Sequence, residues 1–112
     1  MNSEYDVIFC IVNAGYGDVA IEEARKVGVT GGTILNGTGT CKPDAEEFYG
    51  IKIHPDKSVL MMVLKHNLTD KVLHALYKTV GITSPAQGMA FSMPIHSTTL
   101  TLQDIEKKEV KI

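Results

Sequence analysis

Several function classes are set aside by what this chain lacks. It has no excess of basic residues: 11 Lys+Arg stand against 13 Asp+Glu, for a formal net charge of −2. Basic and acidic residues interleave without an arginine–aromatic surface pattern, so nucleic-acid binding is not expected. The first residues, Met1-Asn2-Ser3-Glu4-Tyr5-Asp6, lack the basic start of a signal peptide. The longest apolar run, Val59 to Leu64, is far too short to span a bilayer. A cytoplasmic protein without direct membrane insertion is therefore expected. The two cysteines make no framework. Cys10 lies in an apolar segment as a small buried hydrophobe, and Cys41, beside Lys42 in a polar stretch, reads as an inert exposed thiol.

Spacing signatures of metal and catalytic sites are also missing. There is no Cys-x-x-Cys or His-x-x-x-His, and His54, His66, His74 and His96 form no local metal motif. Ser92, Ser97 and the threonines have no adjacent base at a recognisable spacing, so no catalytic residue is assigned and the chain reads as a non-enzyme. Asp44, Glu46 and Glu47 cluster and are chemically suited to Mg²⁺, but a solvated acidic loop explains them as well.

What remains is a globular composition, 44% hydrophobic and 21% charged, that fits one domain over residues 1–112. Tyr5 to Asn13 is apolar at both odd and even positions, which predicts a central strand. A turn at Ala14-Gly15-Tyr16-Gly17 precedes a helix expected to be capped by Asp18, with Glu22 and Glu23 early, Arg25 and Lys26 late, and Gly28 at its end. Further strands are expected through Thr33-Ile34-Leu35, Phe48 to Ile53 and Val59 to Leu64. A second helix, capped by Thr69, buries Val72, Leu73, Leu76, Tyr77 and Val80 and stops at Gly81. The last strand runs Met89 to Ile95, and Thr99 to Leu102 would add a short edge strand. The order is β-α-β-β-α-β, an α+β ferredoxin-like plan in which two helices cover one face of a four-stranded antiparallel sheet. Because the central strands are apolar on both faces, the uncovered face calls for self-association.

The densest local signal is Gly28-Val29-Thr30-Gly31-Gly32-Thr33-Ile34-Leu35-Asn36-Gly37-Thr38-Gly39-Thr40. Such a run presents bare N–H groups to a phosphate, or simply makes a turn and a glycine-weakened strand. This run resembles the segment of PII signal-transduction proteins that leads into their T-loop. Glu47-Phe48-Tyr49-Gly50-Ile51-Lys52-Ile53 resembles the strand leaving that loop, and Gly88-Met89-Ala90-Phe91 resembles the end of the nucleotide-gripping B-loop. The resemblance covers nearly the whole chain in the right order. It implies a homotrimer binding an adenine nucleotide (ATP, ADP or AMP, with or without Mg²⁺) between subunits. Through its T-loop such a protein regulates a target, a membrane transporter or a metabolic enzyme, in nitrogen metabolism or another pathway.

Carried over, the resemblance places Gly31 and Thr33 at the adenine and Ile11 with Val63 in an apolar base pocket. Gly37, Thr38 and Gly39 fall near the phosphates, and Gly88 and Met89 close from a neighbour's B-loop. Residues 38–48 correspond to the T-loop, 82–89 to the B-loop and 97–112 to the C-terminal segment. The departures are specific. Met89 stands where the family carries a lysine, Thr40 where it carries an arginine, and Thr99 and Thr101 where it carries basic residues. Lys42, Lys52, Lys57 and Lys65 are the available substitutes. The T-loop is short, and Tyr49, placed in a strand, is not expected to be modified. A divalent-cation-binding trimer of the ion-tolerance type and a slow ATPase are the alternatives.

Overall fold

The computed structural model describes residues 4–40, 47–48, 51–52 and 56–103. Along the chain these form β1 (Tyr5–Asn13), α1 (Gly17–Val27), β2 (Thr33–Thr38), β3 (Glu47–Phe48), β4 (Ile51–Lys52), β5 (Asp56–Lys65), a 3-10 turn at His66–Leu68, α2 (Thr69–Val80) and β6 (Met89–Pro94). β1, apolar on both faces, takes neighbours on both edges: β5 pairs from Tyr5↔Lys65 to Asn13↔Lys57, and β6 from Asp6↔Pro94 to Ile11↔Met89. β2 pairs with the outer side of β5, from Thr33↔Met61 to Thr38↔Asp56. The sheet order is β2-β5-β1-β6, antiparallel throughout, with both helices on one face: the ferredoxin-like plan expected from the sequence.

Alternation along the strands decides what the helices cover. Ile8, Cys10 and Val12 of β1 and Leu60, Met62 and Leu64 of β5 are buried against Ala20, Ile21 and Ala24 of α1 and Val72, Leu76 and Val80 of α2. Each fully buried large side chain here contributes about 1.5–3 kcal/mol relative to exposure. Burial in this core pushes the Cys10 thiol up to about 11, so it stays protonated and inert near neutral pH.

Several local expectations are corrected. α1 begins at Gly17, one residue before the proposed cap, and no side chain caps it. Gly17 is buried so close to Ile34 and Ser58 that a Cβ there would touch both, and Asp18 instead sits in the first turn, where its charge suits the helix dipole. Thr69 is the first residue of α2 rather than its cap, because its hydroxyl is committed elsewhere. The strand expected over Phe48 to Ile53 divides into β3 and β4, which pair with each other through Glu47↔Lys52 and Phe48↔Ile51. β2 runs on to Thr38, so the residues read as a loop from position 38 begin at 39. Residues 99–103 are helical, not an edge strand. Here the Thr98 hydroxyl accepts from Leu100 N–H at 3.3 Å, and the Thr98 carbonyl accepts from Thr101 N–H at 3.1 Å, which starts a helical turn instead. The readings of Cys41, Lys42, Asp44, Glu46, Tyr49 and His54 lie outside the described residues.

Thr69 is committed to Asp6, a carboxylate buried in β1 at the end of the sheet facing the start of α2. Asp6 Oδ2 accepts from Thr69 Oγ1 at 2.6 Å and lies 2.7 Å from His66 Nδ1, while Oδ1 is buried and has no partner. Burial pushes this carboxyl up, but the Thr69 hydroxyl and the His66 imidazole together outweigh it and hold the group below its ordinary 3.8. The folded pKa is depressed, so the stability it contributes is present above about pH 3.8 and is lost as pH falls through the lower folded value. Thr69→Val should therefore cost about 1.5–3 kcal/mol at pH 7 and move acid unfolding to higher pH, since burial of Asp6 is then less well offset. Urea unfolding of both proteins across the acid range checks this. An unchanged acid midpoint would show that the hydroxyl does not stabilise the carboxylate.

Candidate functional site

The face of the sheet away from the helices is left open. It carries Val7, Phe9 and Ile11 of β1, Val59, Met61 and Val63 of β5, Leu35 of β2, and Met89, Phe91 and Met93 of β6. Phe9 and Phe91 stack across the strands with ring centroids 5.5 Å apart and planes 27° apart. Met89 is 57% exposed, Met93 45% and Phe91 40%, so none of the described residues covers this part of the surface. A continuous apolar face of this kind marks a contact surface.

The residues singled out from the sequence fall into three groups around this face. Thr33 stands opposite Met61, and continuing the register brings Gly31 beside Val63. Val63 and Thr30 line a cleft of about 230 Å³ with Tyr5, Val29, Leu68 and Leu100. Gly37 and Thr38 lie at the other end of β2, opposite Lys57 and Asp56, with Gly39 following. Four residue steps lead from Thr33 to Gly37, about 13 Å of strand, a span comparable with an extended nucleotide. The third group joins Ile11 to Met89, its partner across β1 and β6, with Gly88 just before. Ile11 and Val63 share the open face but stand about 13 Å apart along the strands, so within one chain they do not line one pocket.

Gly37 and Gly88 lie at the same end of the sheet but at opposite edges. β5 and β1 stand between β2 and β6, which sets the two edges about 14 Å apart. Joining them are polar residues whose role the sequence did not disclose. Asn13, the last residue of β1, receives Lys57 Nζ on its Oδ1 at 2.6 Å. Its Nδ2 donates to the Pro85 carbonyl at 3.1 Å and to Gln87 Oε1 at 3.5 Å, and its N–H donates to the Ala86 carbonyl at 2.8 Å. One amide thus ties the 81–88 loop to the lysine across from Gly37. The signals were a polar residue closing an apolar strand and, in the structure, a positive φ of 47° at Gln87.

The glycines divide by what their missing side chains are for. A Cβ at Gly88 would run into the Val80 carbonyl oxygen and come within 2.9 Å of Val12, and its N–H already donates to Val80 and Gly81. Gly88 is therefore fixed by packing against the end of α2. A Cβ at Gly32 would come within 2.9 Å of the Met61 carbonyl oxygen, a constraint the sequence reading passed over. At Gly31 and Gly37 a Cβ would meet none of the described residues within 4 Å, so packing among them does not require glycine at either.

Gly37 and Thr38 border a polar cleft of about 450 Å³ with Ala14, Asn36, Asp56 and Lys57. Among the described residues Lys57 is the cation of this cleft, and Asp56 is its carboxylate. The chain's single arginine, Arg25, is on the exposed side of α1 in an ion pair with Glu22 at 2.7 Å. A third cleft, about 440 Å³ and apolar, lies between α2 and β6 and takes in Gly88 and Met89 with Leu76, Tyr77 and Val80. Lys65, another of the cations read as substitutes, lies over the Tyr5 ring, 4.7 Å from its centroid, at the far end of β5 from Lys57.

No protein-family model matches the chain, and no curated protein matches it by sequence. Among solved structures, its fold is similar to that of Arabidopsis thaliana PII bound to citrate, with a TM-score of 0.64 and 17% identity over 84% of this chain and 77% of that one. It is similar to B. subtilis GlnK, with a TM-score of 0.64 and 23% identity over 86% of this chain and 89% of that one. The B. subtilis GlnK–ATP complex also aligns, with a TM-score of 0.64 and 20% identity over 88% of this chain and 87% of that one. The chain has the PII fold.

Proposed function

From a chain with the PII fold, we propose a regulatory protein that works as a homotrimer and binds an adenine nucleotide between its subunits. The observation that carries this is the split site. Gly31 and Gly37 lie at the β2 edge of the sheet with Lys57 on the neighbouring β5, the 81–88 loop leads into β6 at the other edge, and in this reading each side supplies half of a cradle. Closing a ring on the open apolar face brings the β2 edge of one subunit toward the β6 edge of the next and completes the cradle. Glycines at positions 31 and 37 that packing among the described residues does not require fit a backbone approached closely by a ligand or by a second subunit. The GlnK–ATP complex, with the same fold, supports an adenine nucleotide as that ligand.

In this reading the nucleotide acts by population shift. Holding Gly37 to Gly39 favours one arrangement of the segment between β2 and β3, and a target protein, a transporter or an enzyme, binds that arrangement. Of the alternatives, a cation-binding trimer finds no group of three His, Cys, Asp or Glu able to hold a metal among the described residues. Slow ATP hydrolysis would show as phosphate release from the loaded protein. No helix among the described residues is long and apolar enough to cross a membrane, so a membrane target would be reached by docking.

Calorimetry with ATP, ADP, AMP and cyclic AMP, with and without Mg²⁺, tests the proposal. Saturable binding of at least one of them, at one site per subunit, is the expected result. Absence of binding by all four at millimolar concentration would overturn it.

A further inference from the structure

Resting on that reading, we infer that Asn13 and Lys57 form a relay across the sheet, through which a nucleotide at the β2 edge sets the posture of the 81–88 loop. Asn13 is the positioning residue of this relay. The open apolar face ends in a polar rung. Leu35, Val59, Ile11 and Met89 stand side by side across β2, β5, β1 and β6, and all are apolar. Two residues nearer the end of the sheet, on the same face, come Gly37, Lys57 and Asn13. From Asn13 the contacts pass directly to the loop, so the rung runs from the glycine-rich edge to the 81–88 segment without a break.

The chemistry of the rung allows one orientation of its central amide. An ammonium only donates and a main-chain carbonyl only accepts. Asn13 must therefore turn Oδ1 to Lys57 Nζ, at 2.6 Å, and Nδ2 to the Pro85 carbonyl, at 3.1 Å. A side chain that only accepts cannot do both: aspartate would keep the lysine and lose the carbonyl. The Asn13 N–H adds a second tie, to the Ala86 carbonyl at 2.8 Å, so the end of β1 and the loop move together. The loop is held against its own preference. Gln87 has a φ of 47°, a backbone region that costs a non-glycine residue energy and persists only where its surroundings fix it. Lys57 lines the Gly37 cleft, so an anion there that draws the ammonium changes the bond on Oδ1, and the loop receives the change through Nδ2.

Amide hydrogen exchange on the full chain tests the relay, first without nucleotide. Lys57→Met should speed exchange at the Asn13 and Gln87 N–H groups by about 3-fold or more, although the lysine side chain bonds to neither. Ile8 and Cys10, in the core stretch of β1, should keep their rates, which separates a loosened loop from a loosened fold. Asn13→Asp and Asn13→Leu should speed Gln87 exchange at least as much, and Lys57→Met should add nothing to Asn13→Leu, because the lysine acts through the amide. At saturation, ATP should slow Gln87 exchange in the wild type by about 3-fold or more, and Asn13→Leu should remove most of that slowing. Unchanged exchange in Lys57→Met, or slowing by ATP that survives Asn13→Leu in full, would overturn the relay and leave the nucleotide-binding reading standing. Failure of ATP, ADP and AMP all to bind would overturn both.

Discussion

If the proposed homotrimer closes on the open face, Phe91→Glu should turn it into a monomer and abolish the proposed nucleotide binding with it. Phe91 lies at the middle of β6 on the open face, stacked on Phe9 and flanked by Met89 and Met93. Within one chain the substitution is tolerable, because Phe91 is 40% exposed and a carboxylate there keeps its water. Across the proposed apolar interface the same carboxylate would be buried without a partner, at a cost of several kcal/mol for each subunit of the trimer. Sedimentation of the variant should give the mass of one chain, with the helical signal of the wild type retained. Val63→Glu, 39% exposed on β5 of the same face, should do the same from a different strand. If both variants keep the wild-type mass, the open face is not where the subunits meet.

Gly88→Ala should be strongly destabilising for so small a substitution. The added methyl meets the Val80 carbonyl oxygen and Val12, and neither can move without disturbing the end of α2 or the end of β1. A loss of about 3 kcal/mol in urea unfolding is expected, at the upper end of the usual cost of overpacking. Gly31→Ala and Gly37→Ala provide the contrast, because a Cβ at either meets none of the described residues within 4 Å. These two should change stability by no more than about 0.5 kcal/mol while weakening nucleotide binding. A stable Gly88→Ala variant would mean that the loop and the end of α2 separate easily. Loss of stability in Gly31→Ala or Gly37→Ala would mean that those glycines serve the fold.

The contrast shows which parts of the molecule were legible in the sequence. Binary pattern carried the fold, because β1 and β5 are apolar on both faces and only a central position satisfies such strands. The boundaries of β1 followed from that pattern, and Gly28, with φ of 125°, ended α1 as glycine does. Cap positions were less legible because hydroxyls and carboxylates have competing uses. Thr69 serves a buried Asp6 that is adjacent only in space, and Asp18 gives way to the close contact of Gly17 with Ile34. The tail failed for a related reason: alternating Thr and Leu fits a strand, but a hydroxyl at Thr98 that takes the Leu100 N–H starts a helix. At the site, the glycine-rich run was visible as a chemical possibility. What Asn13 does was not, because the lysine it holds and the loop it ties lie 44 and more than 70 residues away in sequence.

The place of β1 at the centre of the sheet has a consequence for how the protein is made. Its first hydrogen-bonding partner, Lys57, is synthesised 44 residues after Asn13, and its other partner, β6, comes later still. At about 5–20 residues per second, the strand waits roughly 2–9 s on the ribosome with two apolar faces and two bare edges. α1 can form beside it in that time, but it covers one face and neither edge. The strand that organises the finished sheet is thus the segment most open to a wrong partner during synthesis, and the yield of folded protein in the cell depends on how well those seconds are shielded.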